Sequence, residues 1–171
     1  MNQKEFAISR DTLQTAINTL QPQQLTTTEM SSLAATHEAG HAIMAEILGY
    51  AVSRVSLIPL REGSGGYCAF ACPVDMRPLD YQARICIALA GKVAETLLFG
   101  SAPAIVTDRT DRERVMSDLA SLGQDDTDIA WYEAVVTEHL SRSQNRTRIA
   151  ALAQRLILEQ TVYPNRKEGA A

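Results

Sequence analysis

The sequence predicts a mainly α-helical domain with one small β-hairpin or sheet placed after the helix that carries an HExxH motif. Three observations predict it. Stretches with apolar residues at helical spacing fill most of the 171 residues. One pair of short runs rich in β-branched residues, divided by a Gly/Ser turn, interrupts them. Apolar residues make up 46% and charged residues 21%, which is enough for one packed core.

The elements follow in order. AISRDTLQTAINTL reads as a weak helix that Pro22, Gln23 and Gln24 break, so residues 1–25 form an N-terminal extension. LTTTEMSSLAATHEAGHAIMAEILGY comes next. Thr26 followed by Glu29 resembles a capping box, with Thr27 and Thr28 as alternative N-caps. Leu33, Ile43, Ile47 and Leu48 recur near helical spacing and Gly49 is placed to end the run, which predicts a helix over 29–48. AVSRVSLIPL and GGYCAFACP are strand-like and the turn REGSGG joins them. Pro78 suits a first helical turn, and LDYQARICIALAGKVAETLLFG is apolar around much of its circumference. That marks a buried central helix ending at Gly100. After the loop SAPAIVTDR, Thr110 is placed to cap a shorter helix that Gly123 ends. DDTDIAWYEAVVTEHLSRS and NRTRIAALAQRLILEQTV then predict an antiparallel helix pair. The domain spans 26–163, and 164–171 is a frayed tail.

Composition excludes several classes of function. A net charge of -4 offers no basic surface for nucleic acid. No run of about 18 apolar residues offers a membrane span. The polar N-terminus MNQKEFAISRDTLQ lacks a signal-peptide apolar region, so the expected location is the cytoplasm. Cys68, Cys72 and Cys86 form no CxxC pair, which argues against a zinc ribbon or a disulfide framework and for small buried hydrophobes. His139 reads as a surface histidine.

The chemistry concentrates in THEAGH, residues 36–41. On a helix His37 and His41 face the same way, so both can bind one metal ion at about 2.0–2.1 Å. Glu38 is turned about 100° from His37, beside a water that the ion activates, where it acts as general base and then protonates the leaving amine. A glycine inside a helix costs about 1 kcal/mol relative to alanine, so Gly40 implies a neighbour packed close enough to bring in another ligand. The plain alternative is a polar face on an ordinary amphipathic helix, but two histidines at ligand spacing with the glutamate in its slot favour a metal site. For the third ligand, Glu62 falls near a thermolysin-like spacing but in a predicted turn, and a metzincin pattern would need histidine where Ile47 stands.

HEAGHA, SLIP, GGY, ALAGKVAETLLFG and NRTRIAALAQRLILEQTV, in this order from Thr28 to Val162, resemble the peptidase domain of FtsH-type zinc metalloproteases. The resemblance implies a mostly helical domain holding Zn2+ through His37, His41 and an aspartate, with Glu38 as base. It favours Asp111 as that aspartate, at the start of the helix after Gly100. The loop before Asp111 departs from the family in lacking its glycine and small residues, so Asp108 and Asp128 stand as rivals. Glu95 matches the glutamate of the family's Ala-Glu pair and is expected to orient a ligand histidine. The SLIP strand would lie along the cleft and take a substrate peptide as an added strand.

The implied activity is metalloendopeptidase cleavage of unfolded or short polypeptides. The alternative is a catalytically silent binding module, and the intact His37, Glu38 and His41 favour the enzyme; a metal-dependent hydrolase of a non-peptide substrate is a third, weaker class. No GxxxxGK[ST] loop occurs in the sequence, so the chain is expected to work on short or already unfolded polypeptides, to cooperate with a separate AAA ATPase, or to be a piece of a longer protein, and family likeness admits a homo-oligomer.

Overall fold

The protein is represented by a computed structural model that describes residues 27–60, 66–100 and 108–164. The predicted N-terminal helix, the Thr26 and Glu29 capping side chains, the Glu62 turn and the tail lie outside the described residues. The described part is mainly α, with five helices and one small antiparallel sheet.

Helix α1 (Thr27–Ile47) carries THEAGH. Strands β1 (Val52–Ser56) and β2 (Tyr67–Phe70) form the expected hairpin, with Val55 opposite Cys68 and Ser56 opposite Tyr67. Helix α2 (Pro78–Phe99) begins on its proline, and Asp80 closes a capping box by accepting from the Arg77 backbone N–H at 2.9 Å. Helices α3 (Asp108–Ser121), α4 (Ile129–Leu140) and α5 (Ser143–Glu159) follow. The glycines read as helix stops, Gly49, Gly100 and Gly123, all carry positive φ.

Two boundaries differ from expectation. Helix α3 starts at Asp108, so Thr110 lies inside its first turn and does not cap it. The last helix does not run through Val162. Gln160 takes a left-handed conformation at φ 61°, which ends α5, and Thr161–Val162 become a third strand, β3. β3 pairs antiparallel with β1, so the strand order is β2-β1-β3.

Helix α1 is the most enclosed element. It packs against α2, α5 and the hairpin, while α3 and α4 pack against α2. Both α1 and α2 are therefore central, and α1 is buried nearly all round from Leu33 to Ala45. A helix enclosed in this way needs no apolar stripe, which leaves room for polar residues in its middle. An ion pair between Glu46 and Arg148 ties α1 to α5.

Gly40 explains how closely the two central helices approach. A Cβ there would stand 2.5 Å from the Ala90 carbonyl oxygen and 2.7 Å from the Ala94 Cβ. The close neighbour expected from Gly40 is thus α2.

Candidate metal centre

Four polar residues, Thr36, His37, Glu38 and His41, are buried in the middle of α1 at 2–6% exposure. Buried polar groups need partners. Those of the two histidines come from α2 and α3. His37 Nδ1–H donates to Glu95 Oε1 at 2.8 Å, and His41 Nδ1–H donates to the Ile87 carbonyl at 2.6 Å. Both rings are held from behind and their Nε2 atoms point the same way. Asp111, in the first turn of α3, places Oδ2 3.0 Å from His37 Nε2 and 3.2 Å from His41 Nε2.

This donor set fits zinc. Donors at about 2.0–2.1 Å from a tetrahedral centre stand about 3.3–3.4 Å apart, close to the distances seen here. Among the described residues His37, His41 and Asp111 are the group able to hold an ion, their donor atoms lying within 4.8 Å of one another. His41 is held in the same way: with Nδ1–H committed to the Ile87 carbonyl, Nε2 is the ring atom that faces Asp111 Oδ2. The backing of His37 by Glu95 matches the carboxylate–histidine arrangement that fixes the tautomer of metal ligands.

Of the rival carboxylates, Asp128 is outside the donor group. Asp128 lies in a 3-10 turn where it accepts from the Asp125 backbone N–H at 3.2 Å, away from the histidines. The side chains of Asp108 and Glu62 lie outside the described residues. His139 is half-buried and its carbonyl accepts from Asn145, remote from the centre. Gly40 does bring in a neighbour, but α2 contributes Glu95 and a carbonyl, while the carboxylate that faces both histidines comes from α3.

Electrostatics follow from burial. Burial alone would lower the His37 pKa, but its hydrogen bonds to Asp111 and Glu95, with the charge of Glu38, raise it to about 10. Metal-free His37 is therefore protonated at neutral pH, and zinc must displace that proton. Zinc affinity is expected to climb as pH rises toward 10, with about one proton released per ion at pH 8. Calorimetry in buffers of different ionisation enthalpy measures this. Burial pushes the Glu38 carboxyl up, against the pull of the two histidines, which suits a proton acceptor. Burial, with the charges of Glu38, Glu46 and Asp111, pushes the Cys68 thiol well above the ordinary range, so it stays neutral. Of the cysteines only Cys86 is buried; Cys68 is half-buried and Cys72 is exposed.

Two glycines shape the centre, and sequence reasoning gave neither a role. A Cβ on Gly91 would stand 2.6–2.7 Å from three atoms of the His37 ring. A Cβ on Gly66 would stand 2.6 Å from the Ser56 carbonyl oxygen and 2.9 Å from Glu38 Cγ and Oε1. The signal was their place inside ALAGK and GGY. Gly→Ala inside an exposed helix normally stabilises by about 1 kcal/mol. Gly91→Ala is expected to do the reverse, lowering the Tm and weakening zinc binding by about tenfold or more as the ring shifts. A thermal melt and a chelator competition check both.

The SLIP segment differs from expectation. β1 lies between β2 and β3, and the Leu57 N–H donates to the Gln160 carbonyl at 2.9 Å, so both sides of the segment are occupied at Ser56–Leu57. Among the described residues the outer edge of β2 pairs with no strand, and β2 starts beside Gly66 and Glu38.

Comparison with known proteins agrees with this picture. The profile of Peptidase family M41 matches residues 24–116, more than half of the chain. The match thus takes in α1, the hairpin, α2 and the start of α3, and ends before the C-terminal block. The chain is similar to the ATP-dependent zinc metalloprotease FtsH of Chloroflexus aggregans, 41% identical over 71 residues, covering 38% of this chain and 11% of that protein. It is also similar to the ATP-dependent zinc metalloprotease FtsH of Lachnoclostridium phytofermentans, 36% identical over 86 residues, covering 47% of this chain and 15% of that protein. The matched regions thus span a small fraction of those relatives' length. The fold, the clustered donors and the profile match together place the chain in peptidase family M41, as an FtsH-type peptidase domain.

Proposed function

We propose that the protein is a zinc-dependent endopeptidase that cleaves unfolded or short polypeptides. The observation that carries this reading is the convergence of His37 Nε2, His41 Nε2 and Asp111 Oδ2, with Glu38 next to them in the chain and buried. These three atoms would hold the ion. Zinc, when bound, supplies Lewis acidity that polarises the scissile carbonyl. Glu38 takes a proton from the attacking water and returns it to the departing amine. Glu95 and the Ile87 carbonyl keep the histidine rings turned toward the ion. Gly66 leaves the Glu38 carboxylate the space it occupies beside β1.

An extended substrate would add to the outer edge of β2, where backbone hydrogen bonds hold a chain with little regard to sequence. That mode suits unfolded or short polypeptides and excludes compact domains. The relatives are named ATP-dependent. For folded substrates the proposed partner is accordingly an AAA ATPase, in a homo-oligomeric assembly acting in the cytoplasm. No helix among the described residues is long and apolar enough to cross a membrane.

Zinc content of the purified protein, measured with cleavage of labelled casein, tests the reading. Stoichiometric zinc with cleavage abolished by chelator and restored by zinc is expected. A protein that takes up no zinc, or cleaves equally well without it, would overturn the proposal.

A further inference from the structure

We infer that Arg114 is a positioning residue, which fixes the Asp111 carboxylate so that one oxygen faces the two histidines. The inference rests on the zinc reading above. Asp111, Arg114 and Asp118 are spaced i, i+3 and i+7, so they share one face of α3. Their charges alternate along that face. Asp111 turns Oδ2 to His37 and His41, while its other oxygen, Oδ1, lies 3.6 Å from Arg114 Nη1. Asp118 is buried at 2% exposure, and Arg84 of α2 meets it at 3.2 Å. Arg84 is held in turn by its Nη1 donating to Met76 Sδ at 3.1 Å. The stripe therefore begins at the metal centre and ends in an ion pair between buried Asp118 and half-buried Arg84 that ties α3 to α2.

An aspartate in a first helical turn is otherwise free to rotate about χ1 and χ2. Both of its oxygens compete equally for a cation. A guanidinium on the Oδ1 side breaks that equivalence, leaving Oδ2 for the ion. It also offsets negative charge in a centre that gathers Glu38, Glu95 and Asp111 around two histidines. Ligand-supporting contacts of this kind typically change metal affinity by about 10–100-fold.

The test measures zinc affinity by chelator competition on the full chain, with the melting temperature of the metal-free protein alongside. Arg114→Gln is expected to weaken zinc binding by about tenfold or more while leaving the metal-free melting temperature in place. Arg114→Lys is expected to recover part of the loss, because it restores the charge on a shorter reach. Arg109→Gln removes the same charge from the same helix, where Arg109 pairs with exposed Glu113 at 3.0 Å. It is expected to change affinity by less than about twofold. An Arg114→Gln affinity equal to that of Arg109→Gln would overturn the inference. So would a joint loss of affinity and metal-free stability that lysine fails to rescue, since that marks a structural role only. If the wild-type chain takes up no zinc, the zinc reading itself fails and this inference falls with it.

Discussion

Glu38→Gln is expected to bind zinc as the wild type does and to lose casein cleavage by about 10²–10⁴-fold, the usual contribution of a general base. Three features set the size and selectivity of this effect. Glu38 is outside the group of donor atoms formed by His37, His41 and Asp111, so its loss leaves the ligands intact. Its carboxylate fits against Gly66 with little spare room, and glutamine has the same shape, so packing is preserved. What changes is the charge and, with it, the ability to take a proton. An amide cannot take the proton of the attacking water, whereas burial has raised the carboxyl's pKa toward the range where it can. Metal analysis and labelled-casein hydrolysis on the same preparation measure the two properties separately. Undiminished cleavage would remove Glu38 from the mechanism. Lost zinc would make it a ligand.

Much of the fold was legible because its signals are local. Pro78 at the start of α2 and the glycines after three helices mark chain stops that need only their own backbone conformation. The hairpin was legible from β-branched residues around a Gly/Ser turn. β3 was not, because Thr161–Val162 are too short to show a period and become a strand only when β1 is there to pair with. The same distinction divides the site. His37, Glu38 and His41 are one helical turn, and their spacing alone states the chemistry. Glu95 and Asp111 lie 58 and 74 residues from His37, and likeness to a family, not periodicity, pointed to them. Gly66 and Gly91 were visible as letters, but what their missing side chains make room for is a three-dimensional fact. The SLIP strand shows the risk of carrying over a role without topology. Sequence places it near the HExxH helix, but only pairing shows that its Ser56–Leu57 end is already taken on both sides.

Asp111→Ala is expected to weaken zinc binding by at least about 100-fold, more than the usual cost of losing a contact behind a ligand. Cleavage at limiting zinc should fall in parallel. The argument is electrostatic as well as geometric. Asp111 is the sole carboxylate in a donor set completed by two neutral imidazoles once zinc has displaced the His37 proton. The two histidines hold the Asp111 pKa well below the usual carboxylate range against the upward push of burial, so it is charged at any working pH. Asp111→Asn keeps the shape and a carbonyl oxygen but removes the charge, and should fall between alanine and wild type. Asp128→Ala is expected to leave zinc affinity unchanged, because that carboxylate closes a turn with Asp125 and is outside the donor group. Asp108→Ala completes the set, since it starts the same helix one turn earlier. Chelator competition ranks all four variants. Wild-type affinity in Asp111→Ala, or a larger loss in Asp108→Ala, would move the third ligand elsewhere. Such a result would also leave unexplained why α3 brings a charged oxygen to within 3.2 Å of both histidine nitrogens.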